Sequence, residues 1–152
     1  MIEIEGLRFR YPGSGCDLLA IEQFLLPVGT RAAVVGRSGC GKTTFLNLIT
    51  GVIKPKAGRI VVAGRVLEDL SETERRDLRI AEIGLISQEF DLFDYLPVGE
   101  NLILPYLVNR SMKLSDDVRD RRVELSRRLG IEDKLGKYPR ELSQGERQRV
   151  AI

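Results

Sequence analysis

The chain has 152 residues with 24 basic and 22 acidic side chains, so its formal net charge is +2, and 43% of its residues are hydrophobic. This balance is typical of one globular domain or of a piece of a larger one, and it excludes an intrinsically disordered chain. A membrane-spanning chain is excluded because the longest apolar stretch, residues 102–108, contains a proline and is far shorter than the ~20 residues a bilayer requires.

The first half of the chain is rich in predicted strands. Residues 2–11 alternate between apolar and charged side chains, which predicts a half-buried strand with Gly6 as a candidate bulge. A second strand is predicted at residues 18–26. The apolar run at residues 31–35 is typical of a strand buried on both faces of a parallel sheet. Further strands are predicted at the ranges 59–63 and 80–86.

Helical patterns dominate the second half. A helix with one apolar face is predicted from Lys42 to Val52, and Ser71 with Glu74 forms a capping box that predicts another helix start. From about Gln88 onward the pattern is helical, with predicted breaks at Pro97, Pro105, Gly130, Gly136 and Pro139. This organisation predicts a core with a helical subdomain and not two independent folds.

Composition also limits the chemistry. The sequence contains no histidine, which excludes a Ser-His-Asp triad, a Cys-His pair and a His-ligated metal. Cys16 and Cys40 match neither a disulfide framework nor a zinc spacing, so they fit a reducing, cytoplasmic setting. The acidic, alternating start of the chain is not that of a signal peptide.

Positive charge is concentrated in residues 110–152, which hold 12 basic and 8 acidic side chains, a net charge of +4. The acidic residues are interleaved with the arginines, and no aromatic side chains lie among them to stack on bases. We therefore interpret this region as a solvated helical face and expect no nucleic-acid partner.

A glycine-rich phosphate loop follows the run at residues 31–35. The segment Gly36-Arg37-Ser38-Gly39-Cys40-Gly41-Lys42-Thr43 matches G-x-x-x-x-G-K-[ST], between an apolar run and an amphipathic helix. Glycines let backbone amides approach phosphate oxygens, and a helix N-terminus favours anions. In this motif Lys42 places its charge at the β- and γ-phosphates, and the Thr43 hydroxyl is a ligand for Mg2+. The motif therefore predicts a nucleoside triphosphate site. Cys40 is interpreted as a small filler, with a reactive thiol as the alternative.

Two further segments resemble motifs of the ATP-binding-cassette (ABC) ATPases. Residues 86–93, around Gln88, resemble the Q-loop, and residues 142–146 followed by the helical pattern to Ile152 resemble the signature sequence and its helix. Order and spacing agree over essentially the whole chain. The chain therefore resembles the N-terminal part of an ABC transporter nucleotide-binding domain. Residues 96–105 resemble the lipoprotein-release and macrolide-export type of cassette.

The resemblance implies an α/β fold of the P-loop NTPase class, with an N-terminal antiparallel β-subdomain, a parallel core sheet and a helical subdomain. Residues 1–88 would form the β-subdomain and phosphate-loop core. Residues 89–152 would form the helical subdomain and the start of the signature helix.

The resemblance also implies site residues. Lys42 and Gln88 would be the catalytic residues present, and Thr43 and Gln88 would reach Mg2+. The implied ATP-binding residues are Tyr11, which would stack on adenine, then Gly36, Arg37, Ser38, Gly39, Cys40, Gly41, Lys42, Thr43, Thr44 and Gln88. For Tyr11 the alternative is a core aromatic at the end of a strand, and for Gln88 a polar residue ending a buried strand.

The signature segment would contact ATP held by a second copy of the chain. The implied residues are Ser143, Gln144, Gly145 and Glu146. Ser143 and Glu146 also form a capping box, so the cap would fix a helix N-terminus that then faces phosphate. Gln144 stands where the family usually has glycine, and Glu146 where it usually has glutamine.

The implied function is that of an ATP-binding subunit that couples ATP binding and hydrolysis to transport through a transmembrane permease. Such a subunit would act as a dimer with ATP at the interface, peripheral on the cytoplasmic face of the membrane. The segment after Gln88 would contact the permease through apolar side chains, unless these pack within the helical subdomain: Phe90, Leu92, Phe93 and Tyr95. The alternatives are a truncated nucleotide-binding protein without hydrolysis and a soluble ABC ATPase that is not a transporter.

Three residues typical of the family are not in this sequence. Two are the Walker B carboxylate and the catalytic glutamate, which the family places as Asp-Glu at the end of an apolar strand. The third is a switch histidine. Because phosphoryl transfer needs a positioned metal and water, we expect the 152-residue chain alone to be inactive in hydrolysis. We also expect marginal stability, since the strand before the phosphate loop would lack sheet neighbours.

Overall fold

A computed structural model describes residues 1–109 and 112–152. The chain divides into two compact units, Met1–Ile83 and Gly84–Ile152, each described by itself. The sequence predicts this division after residue 88, whereas the structure divides the chain after Ile83, so Gln88 belongs to the second unit and the phosphate loop to the first. None of the helices in the described part of the chain has the length and apolar character that a bilayer crossing requires.

The first unit is built on a four-stranded antiparallel sheet of order β2-β1-β3-β4. Its strands are β1 (Ile2–Phe9), β2 (Leu19–Leu26), β3 (Ala57–Val62) and β4 (Arg65–Val66). Ile4 lies opposite Phe24 on one side and Ile60 on the other. The predicted antiparallel β-subdomain is therefore present.

A bulge in β1 explains the uneven spacing of its apolar residues. The β1–β3 register shifts between Glu5 and Arg8, so two residues of β1 face Gly58 alone. Side chains alternate between the two faces of a strand, so one extra residue changes which positions face the core. The buried residue before the bulge is the even-numbered Ile4, and those after it are the odd-numbered Leu7 and Phe9. Gly6 lies in this bulge with φ 59°, as the sequence predicts.

Two helices complete the first unit. Helix α1 (Lys42–Ile49) buries Phe45 and Leu48 in a core that includes Ile4, Leu7 and Ile60 of the sheet. Helix α2 (Glu72–Glu82) begins at the predicted capping box, in which the Ser71 hydroxyl accepts from the Glu74 amide at 3.3 Å and the Glu74 carboxylate accepts from the Ser71 amide at 2.8 Å. Leu78 packs from α2 into the same core.

Two of the predicted strands, one of them expected in a parallel sheet, are wrong for the structure of this chain. Residues 31–35 form no strand, and Val35 is 87% exposed. The range 80–86 begins inside α2, which continues to Glu82, and residues 83–86 have no regular structure. A strand buried on both faces needs a hydrogen-bonded neighbour on each edge, and the sheet of the described residues provides none for either segment.

The second unit is helical. It contains α3 (Val98–Val108), α4 (Asp116–Arg128) and α5 (Gln144–Ala151), with short 3-10 helices at Glu132–Lys134 and Pro139–Glu141. Its core consists of Val98, Ile131, Leu142 and Val150. Gly130, with φ 65°, ends α4 at the predicted break.

Two helix predictions in this unit are wrong. Residues 88–97 are not helical, and Phe90 and Asp91 have φ values of 67° and 47°, which a right-handed helix does not allow. Pro105 does not end its helix, because α3 continues to Val108 and the Asn109 amide donates to the Pro105 carbonyl at 3.1 Å. A proline removes one helical hydrogen bond, and packing can compensate for that loss.

The bulge predicts a strict requirement for glycine at position 58. Gly58 has φ 97°, and a Cβ atom there would lie 2.5 Å from the Gly6 carbonyl oxygen. Gly64 has a similar φ of 77° but open space around it. We expect Gly64→Ala to lower the free energy of unfolding by about 1–2 kcal/mol through backbone strain, and Gly58→Ala by about 1–3 kcal/mol more through the steric clash. Urea unfolding of the two variants checks this, and equal losses would contradict the bulge geometry.

Candidate nucleotide-binding site

The phosphate loop (residues 36–43) leads into α1, and the N-cap of that helix is a glycine. Gly41 has φ 94° and supplies no side-chain hydrogen bond to the first-turn amides. The first turn, which the structure describes in full, carries no acidic residue. These amides and the positive end of the helix dipole are therefore available to an anion.

Close packing explains two glycines of the loop. A Cβ atom on Gly36 would lie 2.6 Å from the Cys40 Sγ, and a Cβ on Gly41 would lie 3.0 Å from the Leu19 Cδ2. The Cys40 amide donates to the Arg37 carbonyl at 3.3 Å, which closes a turn within the loop. The Cys40 thiol thus lies against Gly36, and Cys40 is exposed.

The Lys42 ammonium lies over the loop. It donates hydrogen bonds of 2.9 Å to the carbonyls of Gly36 and Arg37. Within residues 1–109 and 112–152, no carboxylate lies at ion-pair distance from Lys42. Its positive charge is therefore held at the loop by neutral acceptors, which a phosphate oxygen can replace.

The structure brings Tyr11 to the same helix. Its hydroxyl lies 3.0 Å from the Thr44 Oγ1, and its ring meets Phe9 edge-on with 5.0 Å between centroids. The ring is 48% exposed and borders a cavity of about 430 Å³ that Lys54 and Lys56 also line. Tyr11 is therefore positioned beside the phosphate loop with part of its ring free, which a fully packed core aromatic would not have.

The two threonines after Lys42 differ in environment. Thr44 is buried and its hydroxyl faces Tyr11, whereas Thr43 is exposed in the first turn of α1. An exposed hydroxyl next to a phosphate site suits Mg2+, which prefers oxygen ligands and keeps several waters. Within the described residues there is no group of three or more acidic, cysteine or histidine side chains that could hold a metal. Thr43 is therefore a candidate ligand for a magnesium ion.

The remaining predicted site residues lie in the second unit. Gln88 is exposed in a turn where the Phe90 amide donates to the Ser87 carbonyl at 3.3 Å. The structure therefore does not place Gln88 in one compact unit with the phosphate loop.

The signature segment begins α5 through the predicted capping box. The Ser143 amide and hydroxyl both donate to the Glu146 Oε2 at 2.8 Å, and the Glu146 amide lies 3.3 Å from the Ser143 Oγ. The Ser143 amide, then its hydroxyl, hold the pKa of the Glu146 carboxyl below its usual range. Gln144 and Gly145 are exposed in the first turn.

The sequence analysis missed Lys134, whose ammonium lies 3.6 Å from the Glu146 Oε1. It also missed Asn101, whose side chain accepts from the Phe93 amide at 2.8 Å and donates to the Leu96 carbonyl at 2.9 Å, which fixes the segment before α3. Neither contact follows a helical or strand periodicity, so no sequence pattern could have predicted these two residues.

The four side chains predicted to contact a permease differ in exposure. Leu92 packs against the core of the second unit, and Phe90 is partly buried. Phe93 and Tyr95 are exposed and meet edge-on, with 5.6 Å between ring centroids.

Comparison with known proteins decides the family. A family model described as "ABC transporter" matches residues 21–152. The chain belongs to the ABC transporter family. This confirms the family that the phosphate loop and the signature segment predict.

Similar proteins extend this result. The chain is 37% identical to the "Methionine import ATP-binding protein MetN" of Bradyrhizobium diazoefficiens, over 100% of the chain and 44% of that protein. It is 39% identical to the "Lipoprotein-releasing system ATP-binding protein LolD" of Buchnera aphidicola, over 85% of the chain and 56% of that protein. The chain thus spans about half the length of these curated relatives.

A solved structure confirms the fold class. The ATP-binding cassette MJ0796, in a dimeric post-hydrolysis state bound to ADP and Pi, matches with a TM-score of 0.85 and 27% identity, over 99% of this chain and 67% of that one. The described residues form an α/β part of such a cassette, and the sheet among them is antiparallel.

Two roles of Tyr11, stacking on adenine and packing in the core, can be distinguished by comparing how a substitution changes the affinity for ATP and for a phosphate ligand without a base. We expect Tyr11→Ala to weaken ATP binding about 5- to 100-fold, because stacking of a base on an aromatic ring contributes ~1–3 kcal/mol. Binding of inorganic tripolyphosphate should not change. Tyr11→Phe keeps the ring and serves as the control. Calorimetric titration of the three proteins with both ligands measures this, and equal losses for both would favour a purely structural role.

Proposed function

We propose that this chain is the ATP-binding part of an ABC transporter ATPase subunit, which couples ATP binding and hydrolysis to transport through a membrane permease. The observation that carries the proposal is the phosphate loop at the uncapped start of α1, with the Lys42 ammonium beside it and no carboxylate in ion-pair contact among the described residues. An anion of high charge is the ligand that this arrangement favours.

The residues of the first unit have separate roles in this proposal. Gly36 to Thr44 bind the phosphates through their amides, Lys42 neutralises the β- and γ-phosphates, and Tyr11 stacks on adenine. Thr43 holds Mg2+ together with the phosphates. The ion, when bound, neutralises charge that develops in phosphoryl transfer. Gln88 is proposed to contact the γ-phosphate and Mg2+.

The proposal includes a dimer in which each ATP is bound by the phosphate loop of one copy and faces the signature segment of the other. The dimeric state of the similar cassette with ADP and Pi supports this arrangement. Ser143 and Gly145, at the capped start of α5, would face the phosphate, with Gln144 and Glu146 beside them.

A permease is the proposed partner, with the subunit on the cytoplasmic face of the membrane. One similar protein is named for methionine import and another for lipoprotein release, so ATP-binding subunits of either direction share this sequence pattern. Exposed aromatic rings favour contact with another protein, and we propose Phe93 and Tyr95 for this contact.

Nucleotide binding tests the proposal directly. We expect Lys42→Met to weaken binding of a fluorescent ATP analogue with Mg2+ at least about tenfold, because a charge-assisted hydrogen bond contributes ~1.5–3 kcal/mol. Lys137→Met removes the same charge from an exposed position of the second unit and is the matched control. Unchanged affinity in Lys42→Met would contradict the phosphate site.

We also expect no ATP turnover by the chain alone. Mg2+-dependent turnover by the purified chain would contradict this expectation.

A further inference from the structure

The start of α5 carries an ion pair from a separate segment of the chain. The Lys134 ammonium lies 3.6 Å from the Glu146 Oε1 and 2.8 Å from the Asp133 Oδ2. Both partners are largely covered, with 22% of the Lys134 side chain and 21% of the Glu146 side chain exposed. Lys134 ends the 3-10 helix Glu132–Lys134, so a fixed turn of backbone holds it there.

Glu146 presents a difficulty for a serine that has to bind phosphate. Its Oε2 accepts both the amide and the hydroxyl of Ser143 at 2.8 Å. A hydroxyl has one proton and an ionised carboxylate is an acceptor only, so a phosphate oxygen competes with Glu146 for that proton. The negative charge of the Glu146 carboxylate also repels a phosphate that binds nearby.

We propose that Lys134 is a positioning residue that neutralises Glu146, so that the Ser143 hydroxyl can turn to the phosphate of ATP bound by a second copy of the chain. This inference rests on the proposed function, in which the signature segment faces that ATP. The opposite charge on Oε1 weakens the carboxylate as an acceptor and offsets its repulsion of phosphate.

The other charges around α5 are consistent with this role. The hydrogen bond with Asp133 raises the pKa of Lys134 above its usual range, which favours the charged ammonium. A Cβ on Gly145 would lie 3.7 Å from the Arg149 Nη1, which places a second cation on the same side as the signature glycine. Arg147 lies on the same helix and is partly buried.

The test uses a double-mutant cycle. Lys134→Met removes the ammonium, and Glu146→Gln removes the carboxylate charge while keeping a residue that forms the same capping box. Two quantities are measured for each protein: the ATP concentration at half-maximal dimerisation, by analytical ultracentrifugation with Mg2+, and the affinity of the chain's own phosphate loop, with a fluorescent ATP analogue. Lys134→Arg is the conservative variant, and Lys137→Met is the control for loss of one charge from the same region.

With Glu146 present, Lys134→Met should raise the half-maximal ATP concentration about three- to tenfold, as contacting residues couple on this scale. In the Glu146→Gln background the same change should have almost no effect. Lys134→Arg should restore dimerisation, and Lys137→Met should leave it unchanged. The affinity of the phosphate loop, measured at a protein concentration too low for dimers to form, should not change in the Lys134 and Lys137 variants. If Lys134 had a purely structural role, Lys134→Met would raise the half-maximal ATP concentration in the Glu146→Gln background as well.

Two results would overturn the inference in different ways. If ATP drives dimerisation but Lys134→Met has equal effects in both backgrounds, Lys134 does not act through Glu146, and the proposed function stands. If the unmodified chain binds ATP without ATP-dependent dimerisation, the proposed pairing of phosphate loop and signature segment fails, and the inference fails with it.

Discussion

Helix α1 is held along its buried face by packing and left open at its N-terminus. Phe45 and Leu48 are buried against the antiparallel sheet, while Gly41 gives the first-turn amides no side-chain cap. Because the packing fixes the helix, its N-terminus can remain without internal partners and still be held in place. The glycine-rich turn, the Lys42 ammonium and Tyr11 all take their positions from this helix.

The opposite arrangement occurs at α5. There the N-terminus is capped internally, by Ser143 and Glu146, and the cap brings a negative charge to the place where phosphate is proposed to bind. A glutamine in that position would cap without the charge. The glutamate therefore needs a compensating cation, and Lys134 lies at the distance to provide it.

Local sequence patterns predicted much of this structure. Alternation predicted β1, the capping boxes predicted the starts of α2 and α5, and the glycine-lysine spacing predicted the loop at α1. The strand predictions that failed depend on partners distant in sequence. The apolar runs at residues 31–35 and 80–86 have strand composition, but a strand forms only with a neighbour to accept its hydrogen bonds. Lys134 was missed for the same reason, since its contact with Glu146 depends on how a 3-10 turn packs against α5.

If the open start of α1 is where this chain binds phosphate, ATP should protect the amides of the phosphate loop. Amide hydrogen exchange, measured by mass spectrometry with and without Mg2+ and ATP, tests this. We expect slower exchange of the amides in residues 36–45, with no such change in Lys42→Met under the same conditions. Slower exchange confined to other segments, or equal protection in the variant, would show that phosphate does not bind there.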